Sequence, residues 1–216
     1  MHVGRERLVI ATGNSGKLRE FRELLADLPF DVMGQGELGI AAPEETGSSF
    51  LENALLKARH ASRAAGMAAI ADDSGLEVDA LNGGPGIFSA RYAGASADDA
   101  ANNAKLVSAL QHTPAYARTA RYRCVLVFVA GDGDAAPLSA EGVWEGCILD
   151  APRGTEGFGY DAYFWLPELK MTAAELGRAE KNRRGHRGAA MGALRRQLAA
   201  RTQWPAGRVP PTVPGS

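Results

Sequence analysis

LVIATGNSGKLREF (residues 8–21) passes from an apolar block, through two glycines, into a segment with helical spacing. Leu8, Val9 and Ile10 predict a buried strand over Arg7–Ala11. Leu18, Phe21, Leu24, Leu25 and Leu28 predict a helix over Lys17–Leu28, which Pro29 ends. A strand turning through glycine into a helix suggests a phosphate loop, but the Walker pattern fails at both ends. Ala11 stands where its first glycine belongs, and Leu18 where Ser or Thr should follow the lysine. What remains is Thr12-Gly13-Asn14-Ser15-Gly16-Lys17 at a helix start, where backbone N–H groups attract anions. Gly13 and Gly16 permit close approach, Lys17 adds a full charge, and Thr12 and Asn14 can donate hydrogen bonds. A helix cap in a tight turn is the competing reading, and Thr12 or Asn14 alone would satisfy it.

Outward from this unit, Asp31–Met33 reads as a second strand. GSSFLENALLKARHASRAAG (47–66) is the clearest helix. Ser49 and Glu52 form a capping box, Phe50, Ala54, Leu55, Ala58 and Ala65 give an apolar face, and Gly66 stops it. MAAIA (67–71) reads as a strand ending in an acidic turn, Asp72-Asp73-Ser74-Gly75, with LEVDAL (76–81) as another strand. GGPGIFSARYAG (83–94) is a loop ordered by Ile87, Phe88 and Tyr92, and Asp98–Leu110 is helical. ARYRCVLVFVA (120–130) and LSAEGVWEGCIL (138–149) form a long antiparallel hairpin across GDGDAAP. A glycine turn then leads into a short strand (155–165), Thr172–Leu176 makes a helical turn, and Gly188–Arg201 is a last helix. Alternating helices and strands followed by long antiparallel strands predict an α/β protein with a mixed sheet. The Pro-rich segment 204–216 lacks periodicity and is expected to be a disordered tail after a domain covering 1–203.

A chain of 216 residues suits one domain, or one with two lobes, and 45% hydrophobic residues suffice for a sizeable core. A net charge of −1 gives no global reason to expect nucleic acid or membrane as partners. Seven arginines and no acid follow from Arg183 onward, which fits either a solvated face or an anion site. Cys124 and Cys147 show no C-x-x-C spacing and read as buried free thiols, and the four histidines lack zinc spacing. With no leader-type segment and no long apolar run, a cytoplasmic location is expected.

Several further groups could carry chemistry. Carboxylates at Asp72 and Asp73 beside an anion pocket suit Mg²⁺ or a general base, or else an Asx-turn. Glu44 and Glu45 raise the same alternatives. Asn53 and Lys57 share a helix face away from Phe50, Ala54 and Ala58, as a surface pair or facing the loops. Phe158 or Tyr160 could lie against a flat ring, with Asp161 as an acceptor, although a core aromatic is the commoner explanation. Lys181, His186 and Arg187 fall in an apparent loop before the last helix. Together these are the parts of a nucleoside triphosphate site.

ATGNSGKLREF, EETGSSFLENALLKARHA, AIADDSGLEVDAL, PGIFSARYAG, GFGYD, TAAEL, EKN and HRG follow one another between Leu8 and Met191. In these motifs the chain resembles the inosine triphosphatase family, which hydrolyses non-standard purine nucleoside triphosphates such as ITP, dITP and XTP. The resemblance implies an elongated mixed α/β fold of two lobes with the active site in the cleft between them. It also implies a homodimer, Mg²⁺ dependence, and nucleoside monophosphate and pyrophosphate as products. By the same resemblance Thr12, Gly13, Asn14, Ser15, Gly16 and Lys17 hold the triphosphate with Lys57, and Glu45 and Asp73 serve the metal. Asp73 is the implied proton acceptor that activates water, and Asp72 its support. Ser74, Phe158, Gly159, Tyr160, Asp161, Lys181, His186 and Arg187 line the nucleotide pocket. Two departures stand out: the family's usual GYDP and SHRG have Ala162 and Gly185 here, and Gly185 removes a hydroxyl beside the base-reading pair. A pyrophosphatase for other modified nucleotides and a nucleotide-binding regulator without hydrolysis are the alternatives.

Overall fold

The structure, a computed structural model, describes residues 5–201. Its strands are β1 (Glu6–Ile10), β2 (Phe30–Gly34), β3 (Ala68–Val78), β4 (Thr119–Val129), β5 (Leu138–Ile148), β6 (Phe164–Leu166) and β7 (Met171–Thr172). They form one sheet in the order β2-β1-β3-β4-β5-β6-β7. β1 runs parallel to β2 and β3, and the later pairings are antiparallel, so the sheet is mixed as expected. The α-helices are α1 (Ser15–Leu24), α2 (Phe50–Ala65), α3 (Asp99–Ala109), α4 (Arg178–Arg184) and α5 (His186–Ala200).

Side-chain alternation along β3 sets the architecture. On one face, Ala68 and Ile70 join a core with Leu8, Phe21, Phe128 and Leu194, which seats α1 and α5. On that same face Leu76 and Val78 join a different core with Leu106, Tyr122, Ile148 and Phe164. Asp72 and Ser74 stand between the two. The opposite face presents Ala69 and Ala71, with Val125 and Val127, to Phe50, Ala54 and Ala58 of α2. Two cores parted by polar residues make two lobes, and β3, β4 and β5 run through both. Each has 11 residues, about 36 Å at a rise near 3.3 Å per residue, which gives the elongated form.

The structure corrects several expectations. Asp72 to Gly75 are not a turn, because β4 pairs with β3 without a break from Ala69↔Val129 to Val78↔Ala120. Polar residues interrupt the apolar pattern there while the backbone ladder continues. Residues 178–184 form α4 rather than a loop, and α5 begins at His186, so Lys181 lies on one helix and His186 and Arg187 on the first turn of the next. The joint is tight: a Cβ at Gly188 would overlap the carbonyl of Asn182. Gly185 leaves α5 without a side-chain cap, and a Cβ there would stand 2.7 Å from the Lys181 carbonyl. Half of the capping box forms: Ser49 Oγ accepts from Glu52 N at 3.2 Å, while the Glu52 carboxylate accepts from Ser48 N at 2.7 Å. Within 83–94, Gly86–Arg91 coil into a 3-10 turn; Ile87 and Tyr92 pack against the cores, but Phe88 is 55% exposed. The arginines near the described C-terminal end are largely paired, Arg195 with Asp27, Arg183 and Arg184 with Glu180, and Arg201 with Asp134. The segment 204–216 lies outside the described residues. No described helix is long and apolar enough to cross a membrane.

Gly142 of β5 lets α5 sit directly on the strand. A Cβ there would overlap the His186 carbonyl and the Ala190 N–H, both part of the α5 backbone and unable to yield. Gly142→Ala is expected to destabilise the protein by about 1–3 kcal/mol. Thermal unfolding should show a melting temperature several degrees lower; an unchanged one would mean that α5 is not seated this way.

Candidate active site

β1 stops at Ile10, opposite Ile70, while β3 runs on to Val78. Past Ile70 the β1-side edge of β3 is therefore open. The chain leaving β1 turns here into α1 on one face of the sheet, and α2 covers the other. Open α/β sheets bind ligands at carboxyl-end crevices where the connections diverge in this way.

The turn after β1 serves as both cap and cradle. Asn14 Oδ1 accepts from Lys17 N at 3.0 Å, and Thr12 Oγ1 accepts from Asn14 N at 3.2 Å. The N–H groups of Ser15 and Gly16 precede the first helical bond, Leu18 N to Asn14 O. Lys17 Nζ reaches Asp72 Oδ2 at 2.9 Å. A cavity of about 520 Å³ opens beside the turn, with Thr12, Gly13, Lys17, Lys57, Glu45 and Asp72 in its wall. Ser15 is exposed outside it, and Gly16 instead makes room for the Phe158 ring, 2.8 Å from a Cβ placed there.

Asp72 and Asp73 point to opposite faces of β3; with no strand covering the edge, Asp72 lines this opening and Asp73 is joined to it through Lys57. Asp73 Oδ1 pairs with Lys57 Nζ at 2.7 Å, and Asp73 Oδ2 accepts from Asn53 at 3.3 Å. Asn53 and Lys57 are thus not a surface pair; Asn53 is fully buried. Glu45 accepts from Lys57 at 2.8 Å through one oxygen and from Arg91 at 2.8 Å through the other. Asp73 lies one side chain behind the cavity wall, with Lys57 in front. Burial raises the Asp73 pKa, and Lys57 only partly offsets it. Burial also pushes Glu45 up, but Lys57 and Arg91 outweigh it and hold that carboxyl below its ordinary value. At Asp72 burial is overcome by Lys17, Arg187 and Lys57, which keep it ionised well below the usual carboxylate range. Neighbouring carboxylates with opposed proton affinities can divide acid–base and electrostatic work.

Asn14, Lys17 and Ala90 also border a second cavity of about 100 Å³, so the two spaces adjoin. Ser74, Phe158, Gly159, Tyr160, Lys181, His186 and Arg187 line it, as does Asp161. The Asp161 carboxylate is already taken by Lys181 Nζ at 2.7 Å, Phe158 N at 2.8 Å and the Tyr122 hydroxyl at 3.2 Å. It is a scaffold for the loop rather than the free acceptor the sequence suggests. Asp99 accepts from Gly159 N at 2.7 Å, Asn103 donates to Gly159 O at 2.9 Å, and the Tyr160 hydroxyl donates to Ser89 O at 2.7 Å. Arg187 pairs with Glu20, with Asp72 at 3.0 Å and with Ser74 Oγ at 3.1 Å, leaving its buried Nε without a partner. His186 stacks on Tyr122 with centroids 4.7 Å apart, and its Nδ1 is buried and unpartnered. Burial, reinforced by Arg187 and Lys181, pushes the His186 pKa well below its ordinary value and keeps the ring neutral.

Sequence reading missed Glu20, Arg91 and Tyr122 and undervalued Asn53. Glu20 shares a helix face with Lys17, three residues away, which was an available signal. Arg91 gave none, since its partner Glu45 is remote in sequence.

Carboxylates crowded against an anion cradle would weaken simple binding, and they gain a purpose only where a bond is to be broken. Fold and site together define an α/β enzyme. The chain belongs to the Ham1 family, whose model matches residues 8–197. It is 54% identical to a dITP/XTP pyrophosphatase of Thioalkalivibrio sulfidiphilus over 90% of this chain and all of that one. With a dITP/XTP pyrophosphatase of Yersinia pseudotuberculosis it shares 54% identity, over 86% of this chain and 94% of the other. Among solved structures, a HAM1 protein from Coxiella burnetii superposes with a TM-score of 0.82 at 47% identity, covering 90% of this chain and 99% of that one.

Lys181 also holds Glu20 at 3.1 Å, so Lys181→Met strips the buried Asp161 of its paired cation and leaves Glu20 to Arg187 alone. A loss of about 3–5 kcal/mol at neutral pH is expected. Burial already raises the Asp161 pKa above 3.8 in the folded protein, and removing its cation raises it further. The folded variant then binds protons more readily than the unfolded chain, so its deficit is full at neutral pH and shrinks as pH falls through the raised value. Denaturant titrations at pH 7.5 and pH 5 test this; a pH-independent deficit would refute it.

Proposed function

We propose that the protein hydrolyses non-standard purine nucleoside triphosphates, ITP, dITP and XTP, to the monophosphate and pyrophosphate in the presence of Mg²⁺. The observation that carries this reading is the adjoining pair of cavities, an anion cradle beside carboxylates and a slot walled by aromatic rings, meeting at Asn14 and Lys17. The activity named for relatives at 54% identity supports it. A cytoplasmic location and a homodimeric assembly belong to the same proposal.

The residues present fit Mg²⁺. Glu45 and Asp73 are converged by one lysine, and Asp72 Oδ1 is a buried oxygen without a partner. Mg²⁺ takes hard oxygen ligands, usually one or two carboxylates with substrate phosphates. When bound, the ion offsets charge on the triphosphate and on the departing pyrophosphate.

The chain's own groups do the rest. The start of α1 and Lys17 hold phosphate oxygens. Asp73, whose proton affinity burial has raised, accepts the proton of the attacking water. Lys57 pairs with Asp73 and Glu45 together, which reduces the negative charge the two carboxylates present to a bound anion.

Base choice falls to the buried groups left without partners, Arg187 Nε and His186 Nδ1. A donor there matches the C6 carbonyl of hypoxanthine or xanthine and meets the amino group of adenine. Such a mismatch can cost factors of roughly 10⁴–10⁵ in specificity. Guanine shares the carbonyl, so the wall near C2 must refuse its amino group.

The test is to incubate the protein with Mg²⁺ and ITP, XTP, dATP, GTP or dTTP, measuring pyrophosphate and orthophosphate separately. Pyrophosphate from ITP and XTP, with little from the others, is expected. Equal turnover of ITP and GTP would overturn the base rule, and no turnover would leave a binding protein. Asp73→Asn should fold normally and lose about 10²–10⁴-fold in kcat; near-full activity would remove its assigned role.

A further inference from the structure

We infer that Gln35 and Arg91 seat the terminal phosphates of the substrate, the part released as pyrophosphate. This rests on the triphosphate reading above and adds two residues that the sequence motifs did not assign.

Direction comes from the sheet. The smaller cavity lies on the β3–β4 side of Lys17, bounded by Ser74, Leu76 and Tyr122. The larger one extends the other way across the end of β1, to Gln35. Gly34 of β2 pairs with Ile10 of β1, so Gln35 stands level with the turn that leaves β1. A nucleotide with its base in the smaller space and its first phosphate near Lys17 must extend its outer phosphates towards Gln35.

Gln35 is 3% exposed, and its Oε1 is buried without a hydrogen-bond partner. Buried polar atoms are nearly always paired, and an exception in a cavity wall points to a missing ligand. A half-turn of the terminal amide exchanges oxygen for NH₂, so the same position can donate to a phosphate oxygen.

Arg91 supplies the charge. Lys17 and Lys57 are each engaged by carboxylates, at Asp72 and at Glu45 with Asp73. Arg91 meets one carboxylate oxygen, Glu45 Oε2 at 2.8 Å, and a guanidinium has five N–H donors in a fork suited to phosphate. Its position is braced. The guanidinium lies 5.3 Å from the centroid of the Phe88 ring, which accounts for an aromatic left at the rim. Ser89 ties the same turn to β3 by accepting from Leu76 N at 2.8 Å.

The experiment is calorimetric binding of inorganic pyrophosphate and of IMP, each in EDTA so that no metal contributes, to the wild type, Arg91→Met, Arg91→Lys and Gln35→Leu. Arg91→Met should weaken pyrophosphate about tenfold or more and leave IMP within about twofold, with Arg91→Lys in between. Gln35→Leu should weaken pyrophosphate about fivefold with the same selectivity. Unchanged pyrophosphate affinity in both Arg91→Met and Gln35→Leu, or equal loss of both ligands, overturns the assignment while the functional reading stands. A wild type that binds neither ligand overturns the assignment, and pyrophosphate release from ITP with Mg²⁺ then decides the functional reading separately. Arg91 is partly exposed, so its variants keep the test decisive should Gln35→Leu fail to fold.

Discussion

β3 outlasts its parallel neighbour, and the site depends on that mismatch. β1 ends opposite Ile70, so the next residues of β3 have a strand on one side only. Adjacent side chains on a strand point to opposite faces, and a covered strand would send Asp72 and Asp73 into separate environments. At an open edge Asp72 borders the crevice and Asp73 is joined to it through Lys57. The start of α1 and the side chain of Lys57 from α2 arrive there from the two faces, because α1 and α2 pack on opposite sides of the sheet.

A chain of charges of alternating sign, buried apart from the half-buried Lys17, carries this arrangement from one cavity to the other. It runs Lys17, Asp72, Arg187, Glu20, Lys181, Asp161, and joins β3, α1, α5, α4 and the loop at 157–161. Ions taken out of water carry a large desolvation penalty, and their stability rests on complete pairing. Each member has a counterion on either side or sits at an end facing a cavity. The chain crosses the seam between the two cores, where an apolar contact would have fused the lobes without fixing any direction. The two cavities are thereby joined by one set of ion pairs: Arg187 holds Asp72, and Lys181 holds the loop that bears Phe158.

Glycine makes that arrangement fit. Gly142 lets α5 lie against β5, Gly188 lets α4 and α5 meet at a sharp joint, and Gly16 admits the Phe158 ring against α1. In each case the neighbour is backbone or a ring already fixed by other contacts.

Local pattern determined much of this protein. The strand and helix around Thr12–Lys17, the helix ending at Gly66, the long hairpin and the mixed sheet follow from periodicity, caps and turn residues, whose causes lie within a few residues. The nucleotide inventory was legible for the same reason, since glycine beside lysine and paired carboxylates are local signals. Tertiary structure decided which of those groups remain available. Asp161 appeared free and is held by three donors; Asn53 could lie at the surface or face the loops and is fully buried; the acidic turn proved to be the middle of a strand. Arg187 and Glu20 are separated by most of the chain, as are Arg91 and Glu45 by half a lobe, and no sequence window spans such pairs. The physical reason is range. Propensity and periodicity act over a turn or a strand, whereas desolvation and charge pairing depend on what the folded sheet places next to a residue.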